Sequence, residues 1–165
     1  MNSGAGQQMH REESNIILLR PHHILDIITH YGQNVQFKPH PYGHAVHTIA
    51  KKMIDNIDLK IQLIIGADDI CRPCEHLLPS GYCDDVLHQL DPPTPKQDYN
   101  NNLDSQLLSY LDILPDSILT LREYLKVINS KIPGIEAICT HPGENVESRL
   151  GGLIEGLKKL GIRKK

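Results

Sequence analysis

Three of the four cysteines in this chain fall within one short stretch, Asp68-Asp69-Ile70-Cys71-Arg72-Pro73-Cys74 followed by Ser80-Gly81-Tyr82-Cys83. That spacing, Cys-x2-Cys-x8-Cys, constrains the fold more than any other feature. Pro73 stiffens the first turn, and Gly81 relieves crowding before the third thiol. The segment is therefore expected to be a loop that gathers its sulfurs. A Cys-x-x-Cys turn lets two thiolates address one ion while backbone N–H groups point toward them. The fourth cysteine, Cys139, lies far downstream in a second Pro- and Gly-rich loop, residues 133–145, the kind of segment that often carries function.

Four thiolates satisfy either a structural zinc or a cubane iron–sulfur cluster. Zinc ribbons usually offer two Cys-x-x-Cys knuckles, and this chain has one. Three ligands from one loop with a remote fourth is the habit of iron–sulfur sites. Spacing alone leaves the two near parity. A dithiol redox centre at Cys71 and Cys74 is disfavoured, because Pro79 and Gly81 interrupt the helix that a thioredoxin-like motif requires.

At 165 residues the chain has the size of one ordinary domain. It has one Phe and no Trp, so its core must be built from Ile and Leu. The net charge of -3 gives no concentrated basic face, and nucleic acid is not an expected partner. The basic end formed by Lys158, Lys159, Arg163, Lys164 and Lys165 reads as a dipole-favoured helix terminus. No secretory leader or apolar run long enough to span a bilayer is seen, so a cytoplasmic location and no membrane partner are expected. In that compartment thiols stay reduced, and clustered cysteines point to metal or redox chemistry.

Periodicity predicts a small α+β domain over 15–165, mostly helical, with one or two short strands and a cysteine-bearing metal loop; residues 1–14 read as a disordered tail. Strands are expected at 15–19 and 59–66. A helix is expected to begin at Pro21, and others to cover 44–57, 103–113, 117–130 and 146–160, the last stopped by Gly161. Residues 91–102, rich in Pro and Asn, read as a connector. Gly151-Gly152 is expected to permit close helix packing.

His22 and His23 fall in the first turn of the expected helix at Pro21, with Asp26 on a shared face and His30 one turn further. Such a cluster can hold a metal, steer an anion or move protons near neutral pH; it can equally be a hydrogen-bonded brace. His40, His44 and His47 form a second group, with His44 and His47 one turn apart on the 44–57 helix, and read as solvated. Asp68 and Asp69 are expected to accept backbone N–H bonds that shape the cysteine loop, with a substrate-facing role as the alternative.

The segments Leu19-Arg20-Pro21-His22-His23-Ile24-Leu25, Asp68 to Cys74 and Gly81-Tyr82-Cys83 resemble the prokaryotic family catalogued as domain of unknown function 1284. That family opens with Arg-Pro-His-His before a Leu-Cys pair, continues with the Asp-Asp-Ile-Cys-x-x-Cys loop and ends in a cysteine-bearing segment. It is associated with iron–sulfur clusters. This chain departs from it at Asp26, where the family has Cys, and after Cys139, where a second Cys and a Trp are missing. With those thiols subtracted, the resemblance implies one [4Fe–4S] cluster on Cys71, Cys74, Cys83 and Cys139. The expected role is electron transfer or cluster-dependent catalysis, with a redox partner or small-molecule substrate. His22, His23, Asp26 and Asp69 are the candidate catalytic groups. The alternative is a non-catalytic binding module stabilised by Zn2+. A zinc hydrolase built on the histidines is a weaker third.

Overall fold

A computed structural model describes residues 15–164, so the expected tail at 1–14 lies outside the described residues. The fold is α+β and mostly helical, as the periodicity predicts. Strand β1 (Ile17–Leu19) runs directly into helix α1 (Pro21–Gly32), with proline at the first helical position, where no N–H is needed. Helix α2 (Val46–Asp55) leads to β2 (Lys60–Leu63). The cysteine loop comes next, then the short strands β3 (Val86–Leu87) and β4 (Thr94–Pro95). Helix α3 (Lys96–Leu111), β5 (Ile118–Thr120) and helices α4 (Leu121–Ser130), α5 (Glu136–Cys139) and α6 (Val146–Lys159) complete the chain.

The main sheet has the order β1-β2-β5, with β1 parallel and β5 antiparallel to β2. Its register opposes Ile17 to Ile61 and Leu19 to Leu63, and Leu19, Ile61 and Leu63 are fully buried. β3 and β4 form a separate antiparallel pair. Ile24, Leu25, Ile27 and Ile28 of α1 meet Leu103, Leu107 and Leu108 of α3 and Leu121, Leu125 and Ile128 of α4 in one core. Tyr124 lies inside it, and its hydroxyl donates to the Pro21 carbonyl at 3.3 Å, fastening α4 to the start of α1.

Helix α1 lies along α6 with almost no side chain between them. A Cβ at Gly32 would stand 1.8 Å from the Gly152 carbonyl oxygen, and one at Gly156 would stand 2.1 Å from that of Ile28. The close packing expected at Gly151-Gly152 is thus real at Gly152. Gly151 faces open space, and Gly156 is the further contact.

Several boundaries differ from the expectation, among them the strand expected at 59–66, which spans only Lys60–Leu63. Residues 117–120 are not helical: Ile118 and Leu119 pair with β2, and Thr120 caps α4 through a reciprocal bond pair with Glu123, each at 3.1 Å. The expected connector at 91–102 is instead helical from Lys96, with Gln97 and Tyr99 of its first turns bonded to Cys83 and His141. His44 precedes α2, leaving only His47 on that helix.

Candidate functional site

The end of β2 releases the chain at Gly66 into the cysteine loop, whose shape is set by Asp68. The fully buried carboxylate of that residue accepts bonds from the backbone N–H groups of Arg20 (2.8 Å), Ile70 (3.0 Å) and Cys71 (3.1 Å). A fourth bond, from His23 Nδ1 at 2.7 Å, completes its set. Asp69 accepts from the Leu18 N–H at 2.9 Å and pairs with Arg72, so it covers the open edge of β1. Both aspartates thus shape the loop, as expected. Asp69 does not line the cavity that the loop borders.

The loop then doubles back. Leu77 pairs with Cys83, the Leu78 N–H donates to the Tyr82 carbonyl, and Gly81 makes the turn at φ +86°. The backbone N–H of Cys83 is held by Gln97 Oε1 of α3 at 3.0 Å. Cys71, Cys74 and Cys83 therefore share the wall of one cavity of about 320 Å³, at the small end of ligand pockets. The three thiols are half-buried and form no disulfide. Burial, with the nearby Asp68 carboxylate, pushes the Cys71 thiol up to about 12. Such a group becomes a thiolate only against a strong positive charge.

Imidazoles line the same cavity. His22 Nδ1 lies 2.8 Å from Asp104 Oδ1, His23 Nδ1 is tied to Asp68, and the two rings stand 4.5 Å apart. Asp104, on α3, also accepts from the His22 backbone N–H and from Arg20 Nη1, each at 2.9 Å. Burial and the neighbouring His23 push His22 down. Burial opposes the charge on His23 as well, but the Asp68 carboxylate outweighs it and holds His23 up. A carboxylate behind Nδ1 fixes the ring and leaves Nε2 as the working nitrogen.

A third imidazole, His141, joins them from the loop after α5. Its Nε2 lies 3.3 Å from Asp26 Oδ1, and its Nδ1 lies 3.2 Å from the Tyr99 hydroxyl. Asp26 also accepts from Arg149 Nη2 at 2.5 Å. Burial works against the Asp26 carboxylate, yet the His141 hydrogen bond and the Arg149 guanidinium hold it well below the usual range. The same hydrogen bond, accepted by the Asp26 carboxylate, pushes His141 up.

These two shifts have opposite signs with pH. The Asp26 contribution is present above the ordinary carboxylate range and fades as pH falls below about 4; the His141 contribution is full below about 6.5 and fades as pH rises past the elevated value. Chemical denaturation of the Asp26→Asn variant from pH 3 to pH 9 is expected to show the largest deficit against the parent near pH 5, shrinking on both sides. A deficit independent of pH would remove the ion pair as its cause.

Of the sequence-predicted residues, Cys71, Cys74, Cys83, His22, His23 and Asp26 meet at the cavity. Cys139 does not line it: the thiol is fully buried against Arg149, and burial pushes it up. Asp26 shares a helix face with the histidines but bonds to neither of them. His30 lies away from the cavity. His44 reaches its rim, stacked on His40 at 4.2 Å, and His47 does not. Burial and His40 push His44 down to about 4. Asp104, His141, Arg149 and Tyr99 carry no local motif. The Pro and Gly residues around His141 are its one sequence signal.

The fold and the site define an α+β protein with one cavity lined by three thiols and by carboxylate-tethered imidazoles. Residues 40–142 match the family described as Protein of unknown function (DUF1284), and the chain belongs to that family. The matched span contains all four cysteines and His141, and it begins after the Arg20–His23 segment. No curated protein and no solved structure matches the chain. No described helix is long and apolar enough to cross a membrane.

Proposed function

We propose that this protein carries a [4Fe–4S] cluster anchored by Cys71, Cys74 and Cys83, and that the cavity beside it admits a small-molecule substrate. The observation that carries this reading is the sharing of one cavity by three soft thiol donors and two carboxylate-backed imidazoles, while the fourth thiol is walled off. The donor set fits a thiolate-ligated cluster, and the unpaired sulfurs leave it open. Such a group supplies redox or Lewis-acid chemistry when bound. The protein's own part is to present two positioned imidazoles to the same cavity, His22 held by Asp104 and His23 held by Asp68. In this form the cluster rests on three cysteines, and the four-thiolate arrangement that includes Cys139 is its rival.

Anaerobic purification is expected to give brown protein with iron and acid-labile sulfide. Each of Cys71→Ser, Cys74→Ser and Cys83→Ser should lose most of both, and Cys139→Ser should keep them. Colourless parent protein with about one zinc per chain would reject the cluster. That outcome would support a zinc-stabilised binding module, which one observation favours: a ring nitrogen of His23, a carboxylate oxygen of Asp68 and the Cys71 sulfur lie within 4.8 Å of one another.

A further inference from the structure

Three thiols leave a metal centre short of one protein ligand, and the chain offers Cys139 or an imidazole to complete it. We infer that His23 is the fourth ligand of the centre held by Cys71, Cys74 and Cys83, with Asp68 as the group that positions it. This deepens the proposed function and rests on it, because it presumes that the three cysteines hold a centre at all.

The argument begins with Asp68, one carboxylate that grips both partners at once. It takes the Cys71 backbone N–H at 3.1 Å and His23 Nδ1 at 2.7 Å, so the first thiol and the imidazole are set relative to each other by a single rigid group. An ionised carboxylate has about four lone-pair sites. Asp68 uses them on the Arg20, Ile70 and Cys71 N–H groups and on His23 Nδ1. Asp68 is thereby engaged mainly in holding His23 and the loop backbone in place. It sits among close donor atoms as a tether, in the carboxylate–histidine–metal arrangement that fixes ligand tautomer and orientation. Among the described residues His23 Nε2 makes no hydrogen bond, and it belongs to a side chain in the cavity wall.

The competing donors are less well placed. Cys139 is shut away behind Arg149 and does not reach the cavity. His22 is tied to Asp104, away from the cysteine loop, and His141 spends Nε2 on Asp26. Of these three imidazoles, His23 alone shares its tether with a cysteine of the loop.

The test uses the full-length protein reconstituted anaerobically with ferrous iron and sulfide, with 15N-labelled histidine in a parallel preparation. Pulsed EPR of the reduced parent is expected to show nitrogen hyperfine coupling to the centre. His23→Ala should lose that coupling and at least half of the iron, His22→Ala should keep both, and His23→Cys should restore the iron without the nitrogen signal. Asp68→Asn is expected to weaken metal retention against a chelator roughly 10- to 100-fold. If the parent shows no nitrogen coupling, His23→Ala keeps its iron and Cys139→Ser loses it, the fourth ligand is Cys139 and the inference is overturned. If the parent takes up no iron and Cys71→Ser, Cys74→Ser and Cys83→Ser behave like it, the underlying function has failed instead. The rescue by His23→Cys separates ligation from a merely structural role, since a variant damaged in folding would not regain metal through a new thiol.

Discussion

Asp104→Ala is expected to destabilise the protein by ~3–5 kcal/mol, among the largest effects of any single change in this fold. The carboxylate is completely buried, and its removal strips the countercharge from Arg20, whose side chain is only 2% exposed. It also leaves His22 Nδ1 and the His22 backbone N–H without their acceptor at the start of α1. A buried guanidinium that loses its partner is costly, because the charge is left uncompensated in the interior. Asp104→Asn keeps an acceptor oxygen while losing the charge, so its cost should fall between the parent and the alanine variant. Urea denaturation at pH 7 reads both. A loss below about 1 kcal/mol for Asp104→Ala would show that Arg20 finds other partners.

Gly156→Ala should rank beside it. The added methyl would meet the Ile28 carbonyl oxygen at 2.1 Å and the Ile28 Cγ2 at 2.8 Å, and the first of these is backbone that cannot swing aside. Separating α1 from α6 is the only relief, and overpacking of this kind costs about 1–3 kcal/mol or more. Gly151→Ala is the internal control. It sits earlier on the same helix, exposed and with nothing within 4 Å, so it should stabilise by about 0.5–1 kcal/mol through helix propensity. Two identical substitutions on one helix are thus expected to shift the thermal midpoint in opposite directions. Equal effects would mean that the helices are not in backbone contact.

The helices that bury a regular apolar stripe are legible in the sequence. Ile24, Leu25, Ile27 and Ile28 announce α1, and Leu150, Leu153 and Leu157 announce α6, because a 3.6-residue period has one simple solution. The start of α3 is not legible. Gln97 and Tyr99 bond to Cys83 and His141, and the other residues of its first turns are polar, so they lack the apolar signal. Ile118 misleads for the reverse reason: it fits a helical stripe, but pairing with β2 claims it. The site divides along the same line. Thiols clustered in sequence and the His22-His23 pair are visible to spacing. Asp104, His141 and Arg149 are brought in from distant elements, and only tertiary packing shows that each of the three imidazoles has its own carboxylate.

The narrow seam between α1 and α6 has a bearing on the chemistry. Helix α1 carries His22, His23 and Asp26 toward the cavity, and its far end is clamped where Gly32, Gly152 and Gly156 allow main chain to touch main chain. A helix gripped in that way has no freedom to roll about its axis. The aim of three reactive side chains is therefore fixed, some distance off, by three residues that have no side chain at all.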